Sequence, residues 1–218
     1  MPEKYNSSPL INEALFDSFE VDVTTLNLKD LVVPIPGRQL PDSFVDYSLA
    51  PIMPIDSDVE AVRSDTSYAI TYDFRLPPGI SPASGYRSSY LDTGLAIGLV
   101  FRSHVVGIAG AAVQPTAVNH RLNIKQIQGW EFKPLSREDY KESGLYGGFL
   151  WRHTLVAAWT ALALKHGLEG VAIQSAVNNR SAHPSGPSFP RYLERYDRVA
   201  IDMGFQFEPE TGNFVLDI

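Results

Sequence analysis

The chain closes on RYDRVAIDMGFQFEPETGNFVLDI (Arg195–Ile218), and the reading of this stretch decides the fold. Leu193, Tyr196, Val199, Ala200 and Met203 recur at helical spacing, so a helix is expected over Arg191–Met203 with these residues inward. Gly204 stops that helix, because a residue without Cβ accepts the left-handed conformation of a C-terminal cap. Phe205 then re-enters the core. Two short strands around Pro209-Glu210-Thr211-Gly212 read as a final hairpin.

Upstream, Gly148–His166 is the clearest helix. Leu155, Val156, Trp159, Leu162 and Ala163 form one apolar face, and Ala157, Ala158 and Ala161 a second, smooth one. A helix with two such faces is covered on much of its circumference. Gly167 suits its left-handed cap. Gly170–Val177 follows as a buried strand, and Asn178 and Asn179 lead the chain out of it. Before the helix come a strand at Tyr68–Leu76, a hairpin of Leu95–Phe101 and Val105–Val113 turning at Arg102-Ser103-His104, and a strand at Leu122–Phe132. Alternation puts Leu122, Ile124, Gln126, Gln128 and Trp130 on one face of that last strand.

Residues 1–66 read differently. Ser8–Phe19 is expected to be helical. Pro34, Pro36, Pro41, Pro51 and Pro54 then break any long element, and Ser57–Glu60 has the form of a capping box. This part reads as an irregular, proline-rich extension packed on an α/β unit of residues 67–218.

Composition narrows the function. The 218 residues suit one domain with a substantial core. With 18 basic against 25 acidic residues the net charge is −7, which makes nucleic acid and anionic membranes poor partners. No apolar run reaches membrane-spanning length, and the first residues lack the apolar core of a signal peptide. With no cysteine, thiolate metal sites and a Cys nucleophile are excluded, and a cytoplasmic location fits. The five histidines show no metal-ligand spacing, so no metal is expected. Nucleophile-elbow, P-loop and dinucleotide motifs are missing.

The order strand, hairpin, strand, long helix, strand, helix, hairpin, with the Met203-Gly204-Phe205 ending, resembles the GNAT superfamily of acyl-CoA-dependent N-acyltransferases. The resemblance covers residues 67–218 in element order. It implies a mixed, mostly antiparallel central sheet flanked by helices. Two parallel strands, Leu122–Phe132 and Gly170–Val177, would splay apart around acetyl-CoA as co-substrate, with Gln128, Gly129 and Asn178 beside it. Pyrophosphate would sit on backbone amides where Gly144, Gly147 and Gly148 enter the long helix. The implied acceptor is a small amine or a protein amino group, and a homodimer is compatible with the resemblance.

Two departures stand out. No window from Lys133 to Arg152 fits the family's Gln/Arg-x-x-Gly-x-Gly/Ala phosphate loop. The family's acid tyrosine, four residues before the Gly of Gly-Phe, is Ala200 here, with Tyr196 one turn earlier on the same face. Tyr196 is therefore either the acid or a core tyrosine. Glu131 is either the amine-deprotonating base or a solvated edge carboxylate. Three readings remain open: an N-acyltransferase, a GNAT-like scaffold that binds a partner or another ligand without acyl transfer, and an unrelated α/β protein.

Overall fold

The computed structural model describes residues 9–31, 42–54, 74–75, 77–80, 93, 95–115, 120–129, 151–179 and 182–218. Helices α1 (Pro9–Thr25) and α2 (Leu28–Leu31) lead into strand β1 (Tyr47–Pro54). Then come β2 (Phe74–Arg75), β3 (Leu95–Phe101), β4 (His104–Pro115), β5 (His120–Gly129), helix α3 (Trp151–Lys165) and β6 (Gly170–Ile173). Helix α4 (Phe189–Tyr192) runs through a π turn (Leu193–Asp197) into α5 (Arg198–Asp202), and β7 (Gln206–Glu208) and β8 (Asn213–Asp217) finish the chain.

The eight strands form one sheet in the order β2-β1-β3-β4-β5-β6-β8-β7. Every neighbouring pair is antiparallel except β5 and β6, which are parallel and joined through α3. The mostly antiparallel α/β architecture and its element order are those expected from the sequence. Helices α1, α3 and α5 cover one face of the sheet, where Phe19 stacks on Trp159 at 5.4 Å. Trp159 also donates its indole N–H to the Ala109 carbonyl at 2.9 Å. A smaller cluster around Ile52, Val100 and Ile108 lies on the opposite face.

Both glycine caps form as the sequence implies. Gly204 (φ +83°) and Gly167 (φ +64°) each end a helix in a Schellman motif. Phe205 N–H donates to Ala200 O and Gly204 N–H to Ile201 O, while Leu168 N–H donates to Ala163 O and Gly167 N–H to Leu164 O. Phe205 and Leu168 are thereby turned into the core, where both are buried. The chain stops its helix on Gly-Phe because the cap aims the aromatic ring inward.

Four features differ from the sequence reading. First, β1 lies within the stretch read as irregular, and α1 runs on to Thr25. Pro51 pairs with Ile97 of β3, and among the described residues β2 meets β1 at Met53 and Pro54 and not at Pro51. Second, β5 carries a bulge: Gly110 pairs with Gln126 but Ala111 with Ile124, so Lys125 is an extra residue. The bulge inverts the alternation, leaving Leu122, Ile124 and Ile127 in the helix-side core and Gln126 and Gln128 on the other face. Third, β6 ends at Ile173, four residues short of its expected end. Fourth, the helix expected over Arg191–Met203 forms without interruption but carries a π turn at Leu193–Asp197. The capping-box stretch and most of Tyr68–Leu76 lie outside the described residues.

Candidate functional site

Strands β5 and β6 pair only from Arg121↔Gly170 to Ile124↔Ile173, and the last link is Gln174 N–H donating to Ile124 O at 3.0 Å. Beyond it β5 continues to Gly129 while β6 turns away. The bulge at Lys125 turns the Ile127 amide toward the widening gap, where a regular strand would have turned that of Gln126. By the period of two, Gly129 faces the same way. On the other side, the end of β6 frees the amide of Ala176.

Two consecutive residues of the π turn meet these two amides. Ile127 N–H donates to the Tyr196 hydroxyl oxygen at 3.1 Å, and Ala176 N–H donates to Asp197 Oδ1 at 2.7 Å. A regular helix spaces its side chains 100° apart; the wider π turn lets neighbours 196 and 197 reach both sides of one gap. Tyr196 is buried and stacks on Tyr192 at 6.2 Å. Burial pushes the Asp197 carboxyl above its ordinary range, and the Ala176 amide opposes this.

The N-terminal turn of α3 borders the same end of β5. The Trp151 indole lies over Gly107 and Gly129, a cross-strand pair; a Cβ on Gly107 would come within 2.6 Å of the ring and one on Gly129 within 3.1 Å. Gly129 is thus fixed by packing as well as being a candidate for ligand contact. Arg152 lies 4.7 Å over the Trp151 ring and Arg195 lies 5.6 Å over Tyr192. Among the described residues both Nε atoms are buried without a hydrogen-bond partner. Burial, then the charge of Arg195, pushes the Arg152 pKa down, with Glu194 opposing. The Nδ1 of His153 is likewise buried without a partner, while its Nε2 lies 3.4 Å from Asp202. Burial is the main cause of the lowered His153 pKa.

The structure brings Tyr196 and Gly129 to the parting of the strands. Gln128 stands on the far face of β5, where its Oε1 accepts from Gln126 Nε2 at 3.0 Å. Asn178 is committed elsewhere: its Nδ2 donates to the carbonyls of Thr211 and Gly212 and tethers the final turn. Glu131, Gly144, Gly147 and Gly148 lie outside the described residues. Sequence reasoning missed Asp197, Arg152 and Arg195. Only an uncompensated arginine in the first turn of a helix hinted at them.

A second polar cluster lies at the other end of α3. Asp22 receives Lys165 Nζ at 2.6 Å, His166 Nε2 at 2.7 Å and Ser18 Oγ at 2.8 Å. Despite its serine, histidine and aspartate it is no catalytic relay, since the one nitrogen Nε2 faces both Asp22 and Ser18. Two surface grooves, of about 360 Å³ beside Val23 and Tyr47 and about 430 Å³ beside Arg121 and Phe207, include neither Tyr196 nor Asp197 in their linings. Among the described residues no helix is long and apolar enough to cross a membrane, and no three His, Asp or Glu side chains gather around a metal position.

No family model matches this chain, and no curated protein does. Among solved structures, the chain is similar to a GNAT-family acetyltransferase from Listeria monocytogenes 4b F2365, at 12% identity and TM-score 0.33 over 56% of this chain and 64% of that one. It is similar to the AtaT mutant toxin bound to the C-terminus of the antitoxin AtaR and acetyl-CoA, at 14% identity and TM-score 0.28 over 56% and 66%. A candidate streptothricin acetyltransferase from Bacillus anthracis str. Ames, in complex with acetyl coenzyme A, is 12% identical with TM-score 0.33 over 88% and 94%. The match spans just under two thirds of the first two of those chains. Likeness at this level does not fix function. One parallel pair parting within an otherwise antiparallel sheet, followed by the Gly-Phe ending, is the arrangement that the resemblance to the GNAT superfamily implies.

Proposed function

We propose that this protein is an acyl-CoA-dependent N-acyltransferase that moves an acyl group, in the simplest case acetyl, to a small amine or a protein amino group. The observation that carries the reading is the parting of β5 and β6 after Ile124 and Ile173, into which the bulge at Lys125 turns the Ile127 amide. A backbone N–H held rigidly in a strand is suited to a thioester oxygen on which negative charge develops as the amine attacks. The amide-rich arm of the donor satisfies the rest of the open β5 edge as an added strand does. Arg152 and Arg195 supply positive charge for its phosphates, a role that the stretch 133–152, lacking the family's phosphate-loop motif, fills poorly by sequence. Tyr196 would protonate the departing thiolate, and Glu131 would take the amine proton, directly or through water.

A thermal-shift titration with acetyl-CoA tests the reading. A ligand at about 100 times its dissociation constant adds ~2.7 kcal/mol to the stability of the folded state. A rise in Tm that saturates, and is smaller in Arg152→Ala, is the expected result. An unchanged Tm at millimolar acetyl-CoA removes the proposal. One observation favours the alternative, a scaffold without acyl transfer: the two freed amides are already held by Tyr196 and Asp197.

A further inference from the structure

The wedge between β5 and β6 comes from one place, the π turn Leu193–Asp197. Its two contacts are not equivalent. Asp197 grips the end of β6 through a 2.7 Å bond from the Ala176 amide, a charge-strengthened link when the carboxyl is ionised. Tyr196 meets β5 through a longer, neutral bond of 3.1 Å, from the very amide that a thioester oxygen would use. A phenol oxygen and a carbonyl oxygen are both acceptors, so they compete for one N–H.

We infer that Asp197 is a positioning residue: anchored on Ala176, it holds the π turn so that the Tyr196 hydroxyl caps the Ile127 amide, and a ligand carbonyl enters by displacing that hydroxyl. The inference takes the competing ligand from the acyl-transfer reading, but the cap itself exists without any ligand. Capping keeps a buried amide from being left unpaired in the empty protein. It also places the phenol beside the atom it would serve once displaced. Each single-bond contact is weak enough to exchange with a ligand of comparable strength. Among the described residues the Asp197 carboxylate is met by the Ala176 amide, three residues beyond the end of β6.

Amide hydrogen exchange at Ile127 and Ala176, read by nitrogen-15 NMR on the full ligand-free chain, tests the device. In Tyr196→Phe, Ile127 exchanges at least about tenfold faster while Ala176 keeps its wild-type rate. In Asp197→Ala both amides speed up. In Asp197→Asn, whose amide oxygen still accepts, both stay within about twofold of wild type. If the alanine variant does not fold, Asp197→Ser, whose hydroxyl falls short of Ala176, takes its place. An Ile127 amide still protected in Tyr196→Phe, or untouched when Asp197 is shortened, overturns the inference. A second readout is the affinity for acetyl-CoA, expected to be several-fold tighter in Tyr196→Phe, with a lower kcat. No binding by either protein removes the acyl-transfer reading while the exchange rates still decide the cap.

Discussion

The two ends of α3 are built on opposite rules. At its C-terminus Lys165 and His166 both reach one buried carboxylate, Asp22, and Gly167 closes the backbone. At its N-terminus Arg152 and His153 bury polar atoms that no described residue meets, beside strands that have just parted. A satisfied cluster holds a fold together. Unmet buried polar groups weaken it, and persist where something outside the chain completes them. The same helix therefore docks α1 at one end and, in the proposed reading, meets the donor's phosphates at the other.

The middle of the helix sets the scale for breaking this contrast. Trp159→Ala removes the stacking on Phe19 and the bond to Ala109, with an expected loss of about 3–5 kcal/mol in denaturant melts. Asp22→Ala strips the satisfied end of its acceptor and is expected to cost about 1–3 kcal/mol. Arg152→Met, at the other end, is expected to change stability by less than about 0.5 kcal/mol while lowering the affinity for acetyl-CoA. Equal losses for the two charged substitutions would erase the distinction between the ends.

Acid separates them more finely. Burial, opposed by the Asp202 bond, holds His153 below its ordinary pKa of 6.5, so the unfolded chain binds the extra proton first. Stability from this group is present above pH 6.5 and falls as pH drops below it. Burial raises the Asp22 pKa, but bonds from Lys165, Ser18 and His166 outweigh it and bring the value from 3.8 down to about 2. Its contribution is present above pH 3.8 and is lost as pH falls toward 2. Melting curves of His153→Gln should therefore flatten below about pH 6.5, and those of Asp22→Asn only below about 4.

Elements governed by one periodicity were legible in the sequence. Leu155, Val156, Trp159 and Leu162 announced α3, and the two glycine caps announced its end and that of α5. What stayed hidden depends on a single extra residue. The bulge at Lys125 and the π turn at Leu193–Asp197 each insert one residue into a regular pattern, and neither changes local composition. Both insertions lie on the two sides of the site, so the fold was readable while the contacts at Ile127 and Ala176 were not. Tyr196 was found because it shares a helical face with Ala200; Asp197, its neighbour, points where a regular helix would not send it.

The Ile127 amide is where these strands of reasoning meet, and nitrogen-15 NMR can follow it as acetyl-CoA is added. The account predicts a saturable shift of Ile127, with Ala176 moving little. An Ile127 signal that stays still while other residues report binding would contradict it.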